Sequence, residues 1–158
     1  MKTLIVYYTR TNFTKKIAEE LAQKLGADLE ELIDLKNRQG AFGFVIAGKD
    51  ATTKKLTEIM PINKNLRDYD LVIIGTPVWA GTMSAAMRTF LVHHQDSLKK
   101  IACFATQGGK NEQKVFGEID KIINEKLLAK TFFVTAEIAQ NKCAEKIEEF
   151  VRVVQNLK

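Results

Sequence analysis

Short apolar runs alternate with helical patterns along this chain, and that alternation limits its fold more than any other feature of the sequence. Strand-like runs stand at about 3–8, 29–35, 70–75, 100–105 and 131–138, and helix-like segments at 14–25, 83–94, 112–127 and 142–156. Strands and helices taking turns in this way predict an open parallel sheet covered on both faces. The runs LVIIG (71–75) and IACFA (101–105) lack polar alternation, as buried central strands should. Ile17, Leu21 and Leu25 fall four apart, Ile119, Ile122 and Ile123 form an apolar stripe, and Ile147, Phe150, Val151 and Val154 repeat at i, i+3, i+4, i+7. At 158 residues, 46% hydrophobic and 27% charged, one domain with a real core is expected. Residues 36–69 break the pattern, and a segment of that length in a compact domain has structure or function of its own. Two arrangements fit it. One is a partly helical excursion, with 49–58 helical, lying across the carboxyl edge of the sheet; the other is a long crossover packing Phe42, Phe44, Val45 and Ile46 into the core.

The net charge of +5 is spread evenly, with 12 basic and 10 acidic side chains in residues 1–79 and 12 and 9 in residues 80–158. Lys15, Lys16, Glu19 and Glu20 interleave as on a solvated helix face. Nucleic-acid binding wants a clustered basic patch with aromatics beside it, so no nucleic-acid partner is expected. The chain opens on an apolar strand without a basic leader, and no run approaches the ~18 apolar residues of a spanning helix, so a soluble cytoplasmic protein without a membrane partner is expected. Cys103 and Cys143 have no metal-ligand or redox-motif spacing and are read as reduced, structural residues. His93 and His94 lack a carboxylate or Cys partner at ligand spacing, so no metal site is expected there. Lys49 and Asp50 lie where they can meet a substrate, though nothing in their spacing demands it.

Three segments that follow strand-like runs carry the chemistry. In the stretch 4–18, LIVYYTRTNFTKKIA, an apolar strand runs into hydroxyl and amide residues and then into a helix. Thr9, Thr11 and Thr14 can join the free amides of a helix start around a phosphate, or the same residues can serve as plain helix caps. No Gly-Lys pair follows and no Gly-x-Gly-x-x-Gly fingerprint is present, so neither a nucleoside triphosphate nor NAD is the natural cup ligand. The loop 75–84, GTPVWAGTMS, places the single Trp of the chain, Trp79, between Pro77 and Gly81, where it can stack on a flat heterocycle or anchor the core. In 105–112, ATQGGKNE, Gly108 and Gly109 remove side chains where a ligand can approach closely, or form a simple turn. Ligands of open α/β sheets lie outside the carboxyl ends of the strands, where all three loops would converge. Phosphate cup, aromatic plate and glycine-lined edge together describe a site for a mononucleotide with a flat ring, and FMN is the candidate.

With these loops in place the chain resembles the flavodoxin family over nearly all of its length. The family's first loop reads Ser/Thr-x-Thr-Gly-Asn-Thr after an aromatic strand end, and Tyr8, Thr9, Arg10, Thr11, Asn12, Phe13 and Thr14 occupy that register. Asn12 stands in place of Gly and Phe13 in place of Asn; Asn tolerates left-handed backbone better than most residues. YDLVIIGTPVWAGTMSAAMRTFL is similar to the short branch that holds both small flavodoxins and quinone-reductase-like enzymes. The resemblance implies a three-layer α/β sandwich with a five-stranded parallel sheet in order 2-1-3-4-5. It implies that Thr9, Arg10, Thr11, Asn12, Phe13 and Thr14 form the FMN phosphate loop. Thr76, Pro77, Val78, Trp79, Ala80 and Gly81, with Thr106, Gln107, Gly108 and Gly109, would flank the isoalloxazine. At Ala80, where flavodoxins use Gly for a redox-linked peptide flip, a Cβ is expected to disfavour positive φ by ~1 kcal/mol. No side chain is expected to act as a catalyst, because the flavin carries the redox chemistry. The leading expectation is an electron carrier working with a redox partner protein. The alternative is an FMN-dependent oxidoreductase using NAD(P)H or a quinone-like substrate, and a third reading is a flavin-free binding or regulatory domain.

Overall fold

The computed structural model describes residues 1–38, 40–109 and 114–157. Along the chain run β1 (Thr3–Tyr7), α1 (Phe13–Leu25), β2 (Asp28–Glu31), α2 (Gly40–Thr52), β3 (Leu71–Trp79), β4 (Thr82–Met83), α3 (Ala85–His94), β5 (Ile101–Gln107), α4 (Val115–Ile123), β6 (Ala129–Val134), α5 (Thr135–Ala139) and α6 (Ala144–Gln155). Five parallel strands lie in the order β2-β1-β3-β5-β6, which is the expected 2-1-3-4-5 once the short β4, antiparallel to β3, is set aside. The architecture is the flavodoxin-like fold, a parallel sheet with helices on both faces.

Strand periodicity sorts the core into two halves. Leu4, Val6, Val72, Ile74, Cys103 and Ala105 face one side, with Met87, Phe90 and Leu91 of α3 and Phe116 and Ile119 of α4. Ile5, Tyr7, Ile73, Ala102, Phe104 and Phe133 face the other, with Ile17 and Leu21 of α1 and Ile147, Phe150 and Val154 of α6. Both cysteines are free and buried, packing as small apolar groups. Gly75 is dictated by this packing: a Cβ there would lie 2.3 Å from the Phe104 ring.

Several boundaries differ from the sequence expectations. The strand placed at 29–35 ends at Glu31, and Leu32 N–H instead donates to the Tyr7 carbonyl as the chain leaves the edge of the sheet. The strand placed at 131–138 ends at Val134; Thr135–Ala139 turns into a short helix that buries Ile138 beside α1. The strand placed at 70–75 runs on to Trp79 because β5 is long enough to pair with Thr76 and Pro77. Pro77 is tolerated there since the last β1 pair, Tyr7 with Gly75, lies two residues earlier. The start of the helix placed at 112–127 falls partly outside the described residues.

The irregular segment is a crossover helix, but neither version of it holds as drawn. α2 spans 40–52 rather than 49–58. Phe42, Phe44 and Val45 are 81%, 57% and 66% exposed instead of packed in the core. The buried side of α2 belongs to small residues, Gly43, Ala47 and Ala51, together with Asp50. A Cβ at position 43 would lie 2.1 Å from the Arg38 backbone, so close docking on that side turns the large side chains outward.

Candidate functional site

The first loop leaves the carboxyl end of β1. Tyr8 N–H donates to the Gly75 carbonyl at 3.0 Å, and the chain then turns at Asn12, whose φ of 64° is left-handed, before α1 starts at Phe13. Asn can hold that conformation at low cost, so the turn survives without the Gly. The Asn12 side chain does not cap the helix and no acidic residue occupies its first turn. The leading amides of α1 are therefore open to an external acceptor, with the positive end of the helix dipole behind them. Thr11 and Asn12 are exposed, and a cleft of about 480 Å³ at this mouth is lined by Thr11, Asn12, Phe13, Lys15, Lys16 and Glu19.

The hydroxyls divide into two kinds. Thr14 Oγ1 is buried and shares a 2.8 Å hydrogen bond with Thr106 Oγ1, so it ties the first loop to the third. Thr9 Oγ1 is buried and has no partner among the described residues. A buried hydroxyl without a partner costs roughly 1–3 kcal/mol, and an oxygen-rich ligand seated in this loop would relieve that cost. Arg10 lies over the Phe44 ring at 5.2 Å, which brings the outward apolar side of α2 against the loop. Phe13 is half-buried and its side chain packs toward the α1 core, offering no side-chain polar atom to the cup.

The second loop is a hairpin. Val78 pairs with Met83 and Trp79 with Thr82, leaving Ala80 and Gly81 as a two-residue turn with φ of 50° and 81°. Positive φ at both central residues is the pattern whose twist matches the flanking strands. Ala80 thus already holds the left-handed backbone that its Cβ disfavours. Ala80 is exposed at the tip, Gly81 and Val78 are half-buried, and Trp79 is 9% exposed. The Trp79 ring stands edge-on to Tyr8, 5.6 Å between centroids, so the indole anchors the core beneath the hairpin. Thr76 Oγ1 accepts from Ser84 N at 3.1 Å, closing the loop from inside.

Beneath this hairpin lies a cluster that spacing alone did not reveal. Arg88 of α3 donates to Thr82 Oγ1 at 2.9 Å and to Glu118 Oε2 of α4 at 2.8 Å, and Lys54 Nζ lies 3.5 Å from Glu118 Oε1. Burial pushes the Glu118 carboxyl up, but hydrogen bonds from Thr82 and Arg88 and the charges of Arg88 and Lys54 outweigh it, so the group is held below its usual range. A second cluster joins the segment after β2 to α2. Asp50 accepts from Lys36 Nζ at 2.8 Å and from Arg38 Nη1 at 2.9 Å, so it serves as an anchor of the fold while Lys49 is exposed. Burial again works against ionisation and the two cations win, leaving Asp50 below the ordinary carboxylate range.

The third loop begins where β5 ends. Thr106 and Gln107 are buried, Gln107 Nε2 donates to the Gly109 carbonyl at 3.0 Å, and Gly108 and Gly109 are exposed. Residues 110–112 of this loop lie outside the described residues. Contacts across the loops bring all three to one edge: Tyr8 with Trp79, Thr14 with Thr106, and Pro77 in register with Thr106. A cavity of about 520 Å³ lined by Met1, Asp70, Lys99, Lys100, Gln155 and Leu157 opens at the opposite, amino end of the strands and touches none of these residues.

The fold recurs in known proteins. The flavoprotein of Lactobacillus acidophilus NCFM, solved in complex with FMN, is 25% identical to the chain, with a TM-score of 0.72 over 88% of this chain and 97% of that one. The two-electron reduced flavodoxin of Megasphaera elsdenii shares the fold at 15% identity and a TM-score of 0.59, covering 96% of this chain and 99% of that one. A flavodoxin, WrbA-like protein from Agrobacterium tumefaciens shares it at 17% identity and a TM-score of 0.57, covering 94% and 98%. The family model for flavodoxin matches residues 2–150, a span that takes in all three loops and every strand of the sheet, and the chain belongs to the flavodoxin family.

Proposed function

We propose that this chain is an FMN-binding redox protein whose phosphate cup is the loop 9–14. The observation that carries this is Thr9 Oγ1, buried and without a partner among the described residues, at the mouth of a helix whose N-cap side chain makes no cap bond. In this reading Thr9, Thr11 and the first amides of α1 hold the phosphate, with Asn12 supplying the left-handed turn that aims them. Thr14 acts indirectly, through its bond to Thr106, by fixing the distance between the first and third loops. The exposed tip at Ala80 and Gly81 and the open edge at Gly108 and Gly109 border the ring. Trp79 supports the hairpin from below through its contact with Tyr8. The redox chemistry is the flavin's own, and the loops orient it and shield it from water.

Electron transfer to a protein partner is the first role this supports, because Phe42, Phe44 and Val45 form an exposed apolar patch next to Arg10 of the cup. A second role, as an oxidoreductase for NAD(P)H or a quinone-like compound, is favoured by the net charge of +5, which suits anionic reductants better than basic partners. The absorption spectrum of the purified protein, with chromatography of any flavin released by heat, tests the cofactor; release of no FMN on reconstitution removes the proposal. Addition of NADH or NADPH separates the roles. Slow bleaching without a partner protein fits a carrier, and rapid bleaching with turnover on a quinone fits an oxidoreductase.

A further inference from the structure

The turn at Ala80 and Gly81 is the tip of a hairpin whose own pairing is slight. β4 has two residues, pairs only with β3 among the described strands and lies off the path of the parallel sheet. A two-stranded pairing this short is marginal without side-chain support. Thr76 and Ser84 close its base, and Trp79 and Met83 are buried beneath it, so what remains to be held is the tip. We propose that Arg88 of α3 and Glu118 of α4 hold the Ala80–Gly81 turn in place through the Thr82 hydroxyl. If the flavin reading above holds, on which this last step rests, the two are positioning residues for the bound ring.

Thr82 is the residue that follows the turn, buried and paired with Trp79 across it. Its hydroxyl has one proton to donate and lone pairs that accept, and both capacities are used. It donates to Glu118 Oε2 and accepts from Arg88 Nη2 at 2.9 Å, while Arg88 Nη2 also donates to the same Glu118 oxygen at 2.8 Å. The hydroxyl is thus gripped by a cation and an anion at once, and bonds assisted by charge are roughly twice as strong as neutral ones. Arg88 Nε is buried and has no acceptor among the described residues, so the guanidinium is held at its Nη2 end. Both charged groups stand on helices that are themselves fixed. Ser84 Oγ accepts from Met87 N–H at 3.3 Å at the start of α3, and Arg88 N–H donates to the Ser84 carbonyl at 3.0 Å. On α4, Phe116 and Ile119, which flank Glu118 in sequence, are buried. Lys54 adds little: its Nζ lies 3.5 Å from Glu118 Oε1 on a side chain 64% exposed, so water screens that pair, whereas the Arg88 side chain is 7% exposed. The grip also has strain to resist, because Ala80 at φ 50° keeps a Cβ in the left-handed region that a released turn would leave. Thr14 and Thr106 tie the first loop to the third; Thr82 and Glu118 tie the second loop to the helix that follows the third.

Trp79, the single Trp of the chain, reports on the hairpin without any flavin. Thr82→Val removes both bonds to the hydroxyl yet leaves Arg88 and Glu118 paired, so no buried charge is orphaned. Thr82→Ser keeps the hydroxyl and is the rescue. In FMN-free Thr82→Val protein the amides of 79–83 are expected to exchange about tenfold faster, the worth of one hydrogen bond to a charged group, and Trp79 to be quenched more readily by acrylamide. The amides of β1 and β5 should exchange as before, and Thr82→Ser should match the unaltered protein in every reading. A turn that spends about nine-tenths of its time released lowers apparent FMN affinity about tenfold, which a flavin fluorescence titration should show in Thr82→Val and not in Thr82→Ser. Unaltered exchange and quenching in Thr82→Val, or an equal rise in exchange over the whole sheet, overturns the proposal. So does a loosened hairpin that binds FMN as tightly as before. Unaltered protein that never binds FMN, with the Thr82 effects on exchange and quenching present, sinks the cofactor reading and leaves the grip on the turn standing.

Discussion

Thr9 separates two roles that a hydroxyl in this loop can play. A helix cap would donate to or accept from its own backbone, and Thr14, bonded across the sheet to Thr106, shows how such a hydroxyl is satisfied internally. Thr9 Oγ1 has no partner among the described residues, so replacing Thr9 by the isosteric Val removes a cost from the free protein and a contact from the complex. Thr9→Val is expected to weaken FMN binding about tenfold, or ~1.4 kcal/mol, while leaving the fold as stable or slightly more stable; flavin fluorescence titration and a thermal melt read the two effects. Ala80 makes a similar argument in the backbone. At φ 50° a Cβ costs about 1–2 kcal/mol, partly offset by the greater unfolded freedom of Gly. Ala80→Gly is therefore expected to raise Tm by a few degrees at most, and a lower Tm would mean that the turn is not strained. Asn12 and Ala80 were legible as positions facing a left-handed demand. That Trp79 would lie under the hairpin, edge-on to Tyr8, was not, because the choice between core and ring depends on a neighbour about seventy residues away.

Among the elements, α2 is held by small apolar residues and by charge. Its buried side is made of Gly43, Ala47 and Ala51, and Asp50 joins it to Lys36 and Arg38. The Asp50 carboxyl is held below its ordinary value. It therefore stabilises the fold at any pH above its unfolded pKa of about 4, and that stabilisation is lost as pH falls through the lower folded value. Glu118, beneath the β3–β4 hairpin, behaves in the same direction. Hydrogen exchange across pH 6 to 3, corrected for intrinsic rates, should show the amides of 40–52 losing protection before those of β1, β3 and β5. Equal loss everywhere would mean that these pairs do not anchor α2. The sequence reading expected helix in this segment but misplaced its bounds, because its apolar residues Phe42, Phe44 and Val45 lie on the exposed side, which inverts the usual inference from hydrophobic periodicity. Central strands such as β3 were legible because both of their faces are buried, and amphipathic helices such as α1 and α6 because each buries one continuous face.

At the scale of the whole molecule, the three loops are joined by a few cross-sheet contacts and leave donors unused, so a ligand that binds there should tighten the fold. FMN at about a hundred times its dissociation constant adds ~2.7 kcal/mol to stability, which for a chain of this size raises Tm by roughly 5–10 °C. A melt unmoved by saturating FMN would count against the cup. Among the described residues no helix is long and apolar enough to cross a membrane. The chain by itself determined the alternation of strands and helices and the residue types at the strand ends, because burial periodicity and turn chemistry act over a few neighbouring residues. Only the tertiary structure decided which hydroxyl is left free, which way the Trp79 ring stands and which side of α2 meets solvent. Those outcomes depend on side chains far apart in sequence competing for the same space and the same hydrogen bonds.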